Sequence, residues 1–319
     1  MATPTRQQAR NHYARQSAIV TAAVLAVRRL FERNRPLPEI VATASAYQYA
    51  SAAASMQAIA SMSTSNPVPL GVPDAYLGVS SYGFPLAEPI IATIDAIVPA
   101  PAEALPANWW DDANEFMANI EQLIASEIAD AGRTASQVEF VSRPDWQNYV
   151  RMLNPPSCAR CAILAGRIYR DLEAFDRHPG CDCVMIPVEN WQEAHDAGYV
   201  SSAQDAFDKG LIRTRVSKDS DEYRPGFSKA DEQAIRDGAD ITTIVNATRG
   251  TSQPGITNAL RTEVFGRKVK ATTYGTTKRA AWRKANPTRL VRLRPESIYE
   301  HARDRDDAIR LLKLYGYIT

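Results

Sequence analysis

Cysteine is scarce in this chain, with four among 319 residues. That number is too small for a disulfide scaffold in a protein this long. Histidine also numbers only four, so candidate general bases are few. No stretch approaches the ~18 uninterrupted apolar residues of a membrane span. Net charge is only +1, so the molecule as a whole is not a polycation. The opening MATPTRQQARNHYARQ has no apolar core of a secretory signal, which predicts no export. Several catalytic motifs are missing too. There is no H-E-x-x-H and no G-x-S-x-G. A cytidine deaminase needs H-x-E upstream of P-C-x-x-C. Here the upstream His12 is followed by Tyr13 and Ala14, and the local string is Pro156-Ser157-Cys158, which excludes that site.

What is present is ordinary in bulk and uneven in arrangement. Hydrophobic residues make up 45% and charged ones 23%, so a sizeable core is affordable and the length suits two domains. The charge is segregated along the chain. Met1 to Arg35 carries seven arginines against one glutamate, and Leu86 to Gly132 carries nine acids with no Lys or Arg. Arg261 to Arg294 carries eleven Lys/Arg and the single acid Glu263. Such blocks imply facing surfaces of opposite sign, within the chain or on partners.

The periodicity predicts a helix over residues 5–35, with Val20, Val24, Val27 and Phe31 on one stripe and Pro36 and Pro38 stopping it. A second helical stretch, Glu39 to Met62, is rich in Ala and Ser. Small residues permit close helix approach, and Ala is also the best helix former. Ser65 to Pro106 holds eight of the twenty prolines and reads as an irregular connector, with a short helix near Ile90 to Ile97. Asn108 to Gly132 reads as a helix that Gly132 ends, and Ala135 to Val141 as a short strand. Val184 to Val188 fits a strand, and Trp191 to Lys209 a helix interrupted at Gly198. Ser228, with Asp231 three residues on, marks a helix start. Pro295 to Gly316 reads as one amphipathic helix.

All four cysteines fall in one 26-residue window, as Cys158-x-x-Cys161 and Cys181-x-Cys183, with His178 just before the second pair. C-x-x-C on a tight turn aims two thiolates at one point, and a second pair about twenty residues later completes a tetrahedron, the construction of a structural zinc site. Five candidates compete for four positions. Cys158, Cys161 and Cys183 are the firmest, because His178 and Cys181 are close enough to be alternatives for the fourth. The reading favours four thiolates with His178 in reserve. A thioredoxin-like redox pair would want a βαβ context, which Pro155, Pro156 and the later basic loop do not supply. Two disulfides would require an oxidising compartment. The loop from Ala162 to Gly180 has few large apolar residues, so coordination worth on the order of 10 kcal/mol would substitute for a core.

The string C-x-x-C, Leu164-Ala165-Gly166-Arg167, then His178-Pro179-x-Cys181-x-Cys183 and Pro187 resembles the Mu F-like minor head proteins of tailed bacteriophages. Asp182 stands where that family often has Arg, which leaves the ligands intact. IRDGADITTIVNATRG (Ile235 to Gly250) and PESIYEHARDRDDAIRLLKLYGYI (Pro295 to Ile318) resemble a narrower group in phages of actinobacteria. That group is commonly labelled capsid maturation protease or minor capsid protein. The resemblance implies a low-copy virion head protein, associated with the portal or major capsid protein and the packaged DNA, placed at the portal vertex inside the capsid after assembly in the host cytoplasm. Its role would lie in head assembly or DNA packaging and delivery. The expected fold is mainly α with a small α+β zinc-knuckle module and an extended helical N-terminal region. The expected divisions are 1–64 (helical), 65–107 (Pro-rich connector), 108–200 (central module with the knuckle) and 201–319 (C-terminal helical region with the basic segment).

A protease needs a nucleophile, a base and an orienting group. His12 lies in an arginine-rich arm and His178 in the knuckle. His195 and His301 read as exposed helical histidines, and the cysteines as ligands. No catalytic residue is assigned, and head maturation protease stands as the enzymatic alternative to a structural role. The Arg261 to Arg294 block, with Tyr274 and Trp282 interleaved, suits sequence-independent phosphate contact with packaged DNA, or equally a salt-bridged face opposite the acidic segment. The Ser228 to Ala247 pair of helices lacks a basic second helix, which argues against sequence-specific reading.

Overall fold

A computed structural model of the chain describes residues 3–97, 114–144, 146–175, 181, 183–213, 226–247, 261–264, 267–272, 284–286 and 292–319. Among the described residues the fold is mainly α with two small antiparallel sheets, and the chain divides into two compact units.

The first unit comprises Met1–Asn154 and Arg167–Ser201. Its frame is three long helices, α1 (Arg6–Glu32), α2 (Leu37–Met62) and α4 (Asn114–Val141), with the shorter α3 (Ala87–Ile97) against α4. Thr5 opens α1 through a capping box with Gln8, and Pro36 precedes α2, so the first turns of both helices are fixed locally. The predicted stripe of α1 does pack inward. Val27 and Phe31 are buried with Ile40, Ile90, Ile120, Ile124 and Ile128, and Val20 and Val24 lie against that cluster. Each fully buried isoleucine contributes roughly 2–3 kcal/mol relative to exposure.

Two local expectations fail in α4. The helix does not end at Gly132, and Ala135 to Val141 is not a strand; α4 continues to Val141. Ala135, Glu139 and Phe140 all face inward at helical spacing. Gly132 is a packing residue, not a stop. A Cβ there would overlap Gln16 Oε1, Ser51 Oγ and Ser55 Oγ. Gln16 and Ser51 are themselves joined, with Ser51 Oγ donating to Gln16 Oε1 at 2.7 Å and Gln16 Nε2 donating to Ser51 O at 3.1 Å. Three helices therefore meet at a buried polar contact that tolerates no side chain on the third.

Beyond α4, β1 (Asn148–Met152) is the central strand of a three-stranded sheet in the order β2-β1-β3, with β2 Ile168–Arg170 and β3 Val184–Val188. Both pairings are antiparallel, and Arg151 lies opposite Met185. Every residue of β3 is buried. Tyr149 stacks on Tyr169 at 5.1 Å, with Phe140 and Phe175 at its edges. A short helix, Trp191–Asp196, follows β3 and gives way at Gly198, where φ is +73°.

The second unit comprises Pro155–Gly166 and Ser202–Thr319. It holds short helices at Ala159–Leu164, Ala203–Asp208, Lys229–Arg236 and Ile241–Ala247, and the sheet β4 (Arg261–Val264), β5 (Arg267–Thr272), β6 (Arg292–Leu293). The Ser228–Asp231 capping box forms as expected. The single C-terminal helix does not. The chain forms Pro295–His301 and Arg305–Leu314, because Asp304 turns out of the helix and caps the next by accepting from Asp307 N at 2.8 Å.

Candidate metal centre

Cys181 and Cys183 sit at the entry to β3, where Val184 to Val188 is locked in register against β1. Their Sγ atoms are 2.8 Å apart, well beyond the ~2.05 Å of a disulfide, and no cysteine is disulfide-bonded. Two arginines converge on this pair. Arg151, from β1, places Nη1 2.7 Å from Cys183 Sγ and 3.9 Å from Cys181 Sγ. Arg133, from α4, donates from Nε to Cys183 O at 3.2 Å and from Nη2 to Cys181 O. Arg133 also pairs through Nη1 with Asp130 at 2.8 Å.

Both arginines are deeply buried, Arg151 at 1% exposure. A guanidinium cannot shed its proton, so its burial demands anions nearby. For Arg133, burial acts against the charge, yet the Cys181 and Cys183 sulfurs and Asp130 outweigh it and raise the pKa. Arg151 also lies over the Phe175 ring at 4.0 Å. Two buried guanidinium groups thus set positive charge beside the C-x-C pair, and thiolate is the form of cysteine that binds metal.

The first cysteine pair surrounds the start of helix Ala159–Leu164. Cys158 is its N-cap, and its Sγ accepts from Cys161 N at 3.3 Å. Within the first unit, the buried Cys181 and Cys183 Sγ atoms offer two sulfur ligands that could serve a metal ion. His178 lies outside the described residues. An all-sulfur donor set is soft, which suits zinc over magnesium or calcium.

Sequence reasoning missed Arg133 and Arg151. One signal was available for Arg151, a lone cation between Val150 and Met152 in a stretch too apolar for a surface strand. None was available for Arg133, whose role depends on where α4 crosses the sheet.

The other histidines are dispersed. His195 is exposed, stacked on Trp191 at 4.9 Å and 3.5 Å from its neighbour Asp196. His301 ends the helix Pro295–His301. His12 is buried in α1 and lines a cavity of about 180 Å³ with Gln16, Ser55, Arg133, Cys181 and Met185. Burial lowers its pKa to about 4, so the ring is neutral at physiological pH.

Of the basic block, Arg292 and Arg294 are buried and serve the fold. Arg292 donates to Tyr315 O at 2.8 Å and Gly316 O at 3.0 Å, and Arg294 pairs with Glu296 at 2.8 Å. Tyr274 and Trp282 lie outside the described residues. Among the described residues no helix is long and apolar enough to cross a membrane.

Residues 86–210 match the family model described as VG15 protein, a family of phage gene proteins. This stretch includes α3, α4, the three-stranded sheet and all four cysteines. Neither the curated proteins nor the solved structures contain a match.

Proposed function

We propose that this chain is a minor capsid, or head-morphogenesis, protein of a tailed bacteriophage, with a structural zinc centre at its middle. The observation that carries the reading is the buried Cys181–Cys183 pair with its two arginines, inside the stretch that matches a phage family. Cys158, Cys161, Cys181 and Cys183 would hold the ion as four thiolates, with His178 in reserve. When bound, zinc supplies a cross-link that stands in for a core. Arg133 and Arg151 neutralise the excess negative charge of a thiolate-rich set and fix the C-x-C backbone. A donor set closed by protein leaves no position for substrate, which favours a structural role.

In this reading the protein joins the portal or major capsid protein in the assembled head, and the exposed part of Arg261 to Arg294 touches packaged DNA without reading sequence. The test is co-expression with the portal and major capsid proteins, followed by head purification. A few copies per head should sediment with the portal, and the capsid protein should stay uncut. Absence from heads contradicts the structural role. Capsid cleavage lost on His195→Ala or His301→Ala would favour the maturation-protease alternative instead.

A further inference from the structure

In the first unit, the segment between α2 and α3 is built inside out. Four buried polar side chains grip its backbone from below. Arg143 donates to Asn66 O and, at 2.6 Å, to Val68 O. Glu139 accepts from Leu70 N and Gly71 N, both at 2.9 Å. Gln48 accepts from Gly78 N at 3.0 Å and donates to Val79 O at 2.8 Å. Glu127 accepts from Ser81 N at 2.6 Å and from Ser81 Oγ at 3.0 Å. With the backbone held by charge, the apolar side chains point to solvent. Tyr82 is 78% exposed, Val68 62%, Val72 61% and Phe84 58%. The tip is fixed too, by the Val79–Pro85 bridge and by Ser80 N donating to Phe84 O at 2.7 Å.

A solvated connector has no use for this arrangement. Burying four polar side chains to present a row of apolar ones costs solvation on both faces, unless something covers the apolar side. The pinned backbone means little ordering entropy remains to be lost on association. Aromatic enrichment and depletion of charge are the compositional marks of an interface centre.

Charge selects the occupant. Between Pro36 and Gly132 there is no lysine or arginine, and Asp74, Glu88 and Asp95 are exposed beside or within the segment. Nucleic acid and anionic bilayers would be repelled. We infer that the Val68–Phe84 segment is a docking surface for another protein that presents an apolar ridge rimmed by Lys or Arg. In the proposed setting, on which this inference rests, that protein is another subunit of the head.

The experiment uses the purified full-length chain, and the portal and major capsid subunits of the same phage as separate probes. The variant is Tyr82→Ser/Phe84→Ser, whose exposed side chains leave the helical core untouched; Asp74→Lys reverses the charge. The wild type should bind one of the two subunits, and each variant should weaken that binding at least tenfold, with unchanged circular dichroism and urea midpoint. Undiminished binding by Tyr82→Ser/Phe84→Ser overturns the docking surface while leaving the head role intact. A wild type that binds neither subunit removes both. Variant-sensitive self-association in sedimentation, without subunit binding, makes the occupant a second copy and overturns the assignment. So does variant-sensitive binding only to phosphatidylglycerol vesicles.

Discussion

Arg151 Nη1 stands 2.7 Å from Cys183 Sγ, a contact between adjacent antiparallel strands in which a fully buried cation meets a buried sulfur. The register that sets Arg151 opposite Met185 puts its guanidinium beside Cys183, the residue just before β3. The same guanidinium is held on its other side by the Phe175 ring. The pair links the sheet to the candidate metal centre, so its loss should be felt at metal binding before the fold.

Arg151→Met keeps much of the volume and removes the charge. Zinc affinity, read by competition with a chromogenic chelator, should fall about 10–100-fold, as for other groups that support metal ligands. The unsubstituted protein should carry about one zinc per chain in metal analysis. Cys161→Ser and Cys183→Ser should each lose it. Retention of metal by both serine variants would mean the sulfur group is not the site.

Gly132→Ala sets two effects against each other. Alanine gains about 1 kcal/mol of helix propensity over glycine. The new methyl group must displace Gln16, Ser51 and Ser55, and overpacking of that kind costs ~1–3 kcal/mol. The overlap with three groups should win, giving net destabilisation in urea unfolding. A stabilised variant would show that the three helices can separate freely.

Glu139 and Arg143 form an ion pair with both side chains essentially inaccessible to water. Glu139→Leu strands the guanidinium and releases the amides of Leu70 and Gly71. A loss of about 3–5 kcal/mol is expected. Limited proteolysis should cut faster between Asn66 and Gly71. Glu139→Leu/Arg143→Leu should recover part of the stability, because no unpaired charge then remains.

His12 gives a pH dependence of defined sign. Its folded pKa is drawn down to about 4 by burial, whereas the unfolded chain titrates near 6.5. Above pH 6.5 both states are neutral there and His12 contributes no slope. As pH falls from 6.5 towards 4 the unfolded state takes up the proton first, so stability drops by up to roughly 3 kcal/mol. His12→Gln should flatten this limb. Parallel stability curves for the two proteins between pH 4 and 6.5 would exclude His12 as its source.

The long helices were legible because their evidence is local. Val20, Val24, Val27 and Phe31 repeat at helical spacing, Pro36 stops that helix, and Ser228 sits where a helix start requires it. The errors came where a local rule met a tertiary contact. Gly132 reads as a stop, yet it is the point at which α1 and α2 approach α4. Ala135 to Val141 has strand-like composition, yet Glu139 and Phe140 face a core that only a helix lets them reach. Pro295 to Gly316 has one continuous amphipathic pattern, yet Asp304 interrupts it with a cap.

The sequence by itself determined the helical class, the capped start at Ser228 and the clustering of every cysteine in one window, since propensity, capping and spacing act over a few residues. The tertiary structure decided which groups answer each other across the chain. It brought Arg133 and Arg151 to the Cys181–Cys183 pair, withdrew Arg292 and Arg294 from the basic block, and buried Glu139 beneath an apolar-faced loop. Such pairings depend on desolvation, and whether a charge is desolvated is fixed by distant segments that no local pattern encodes.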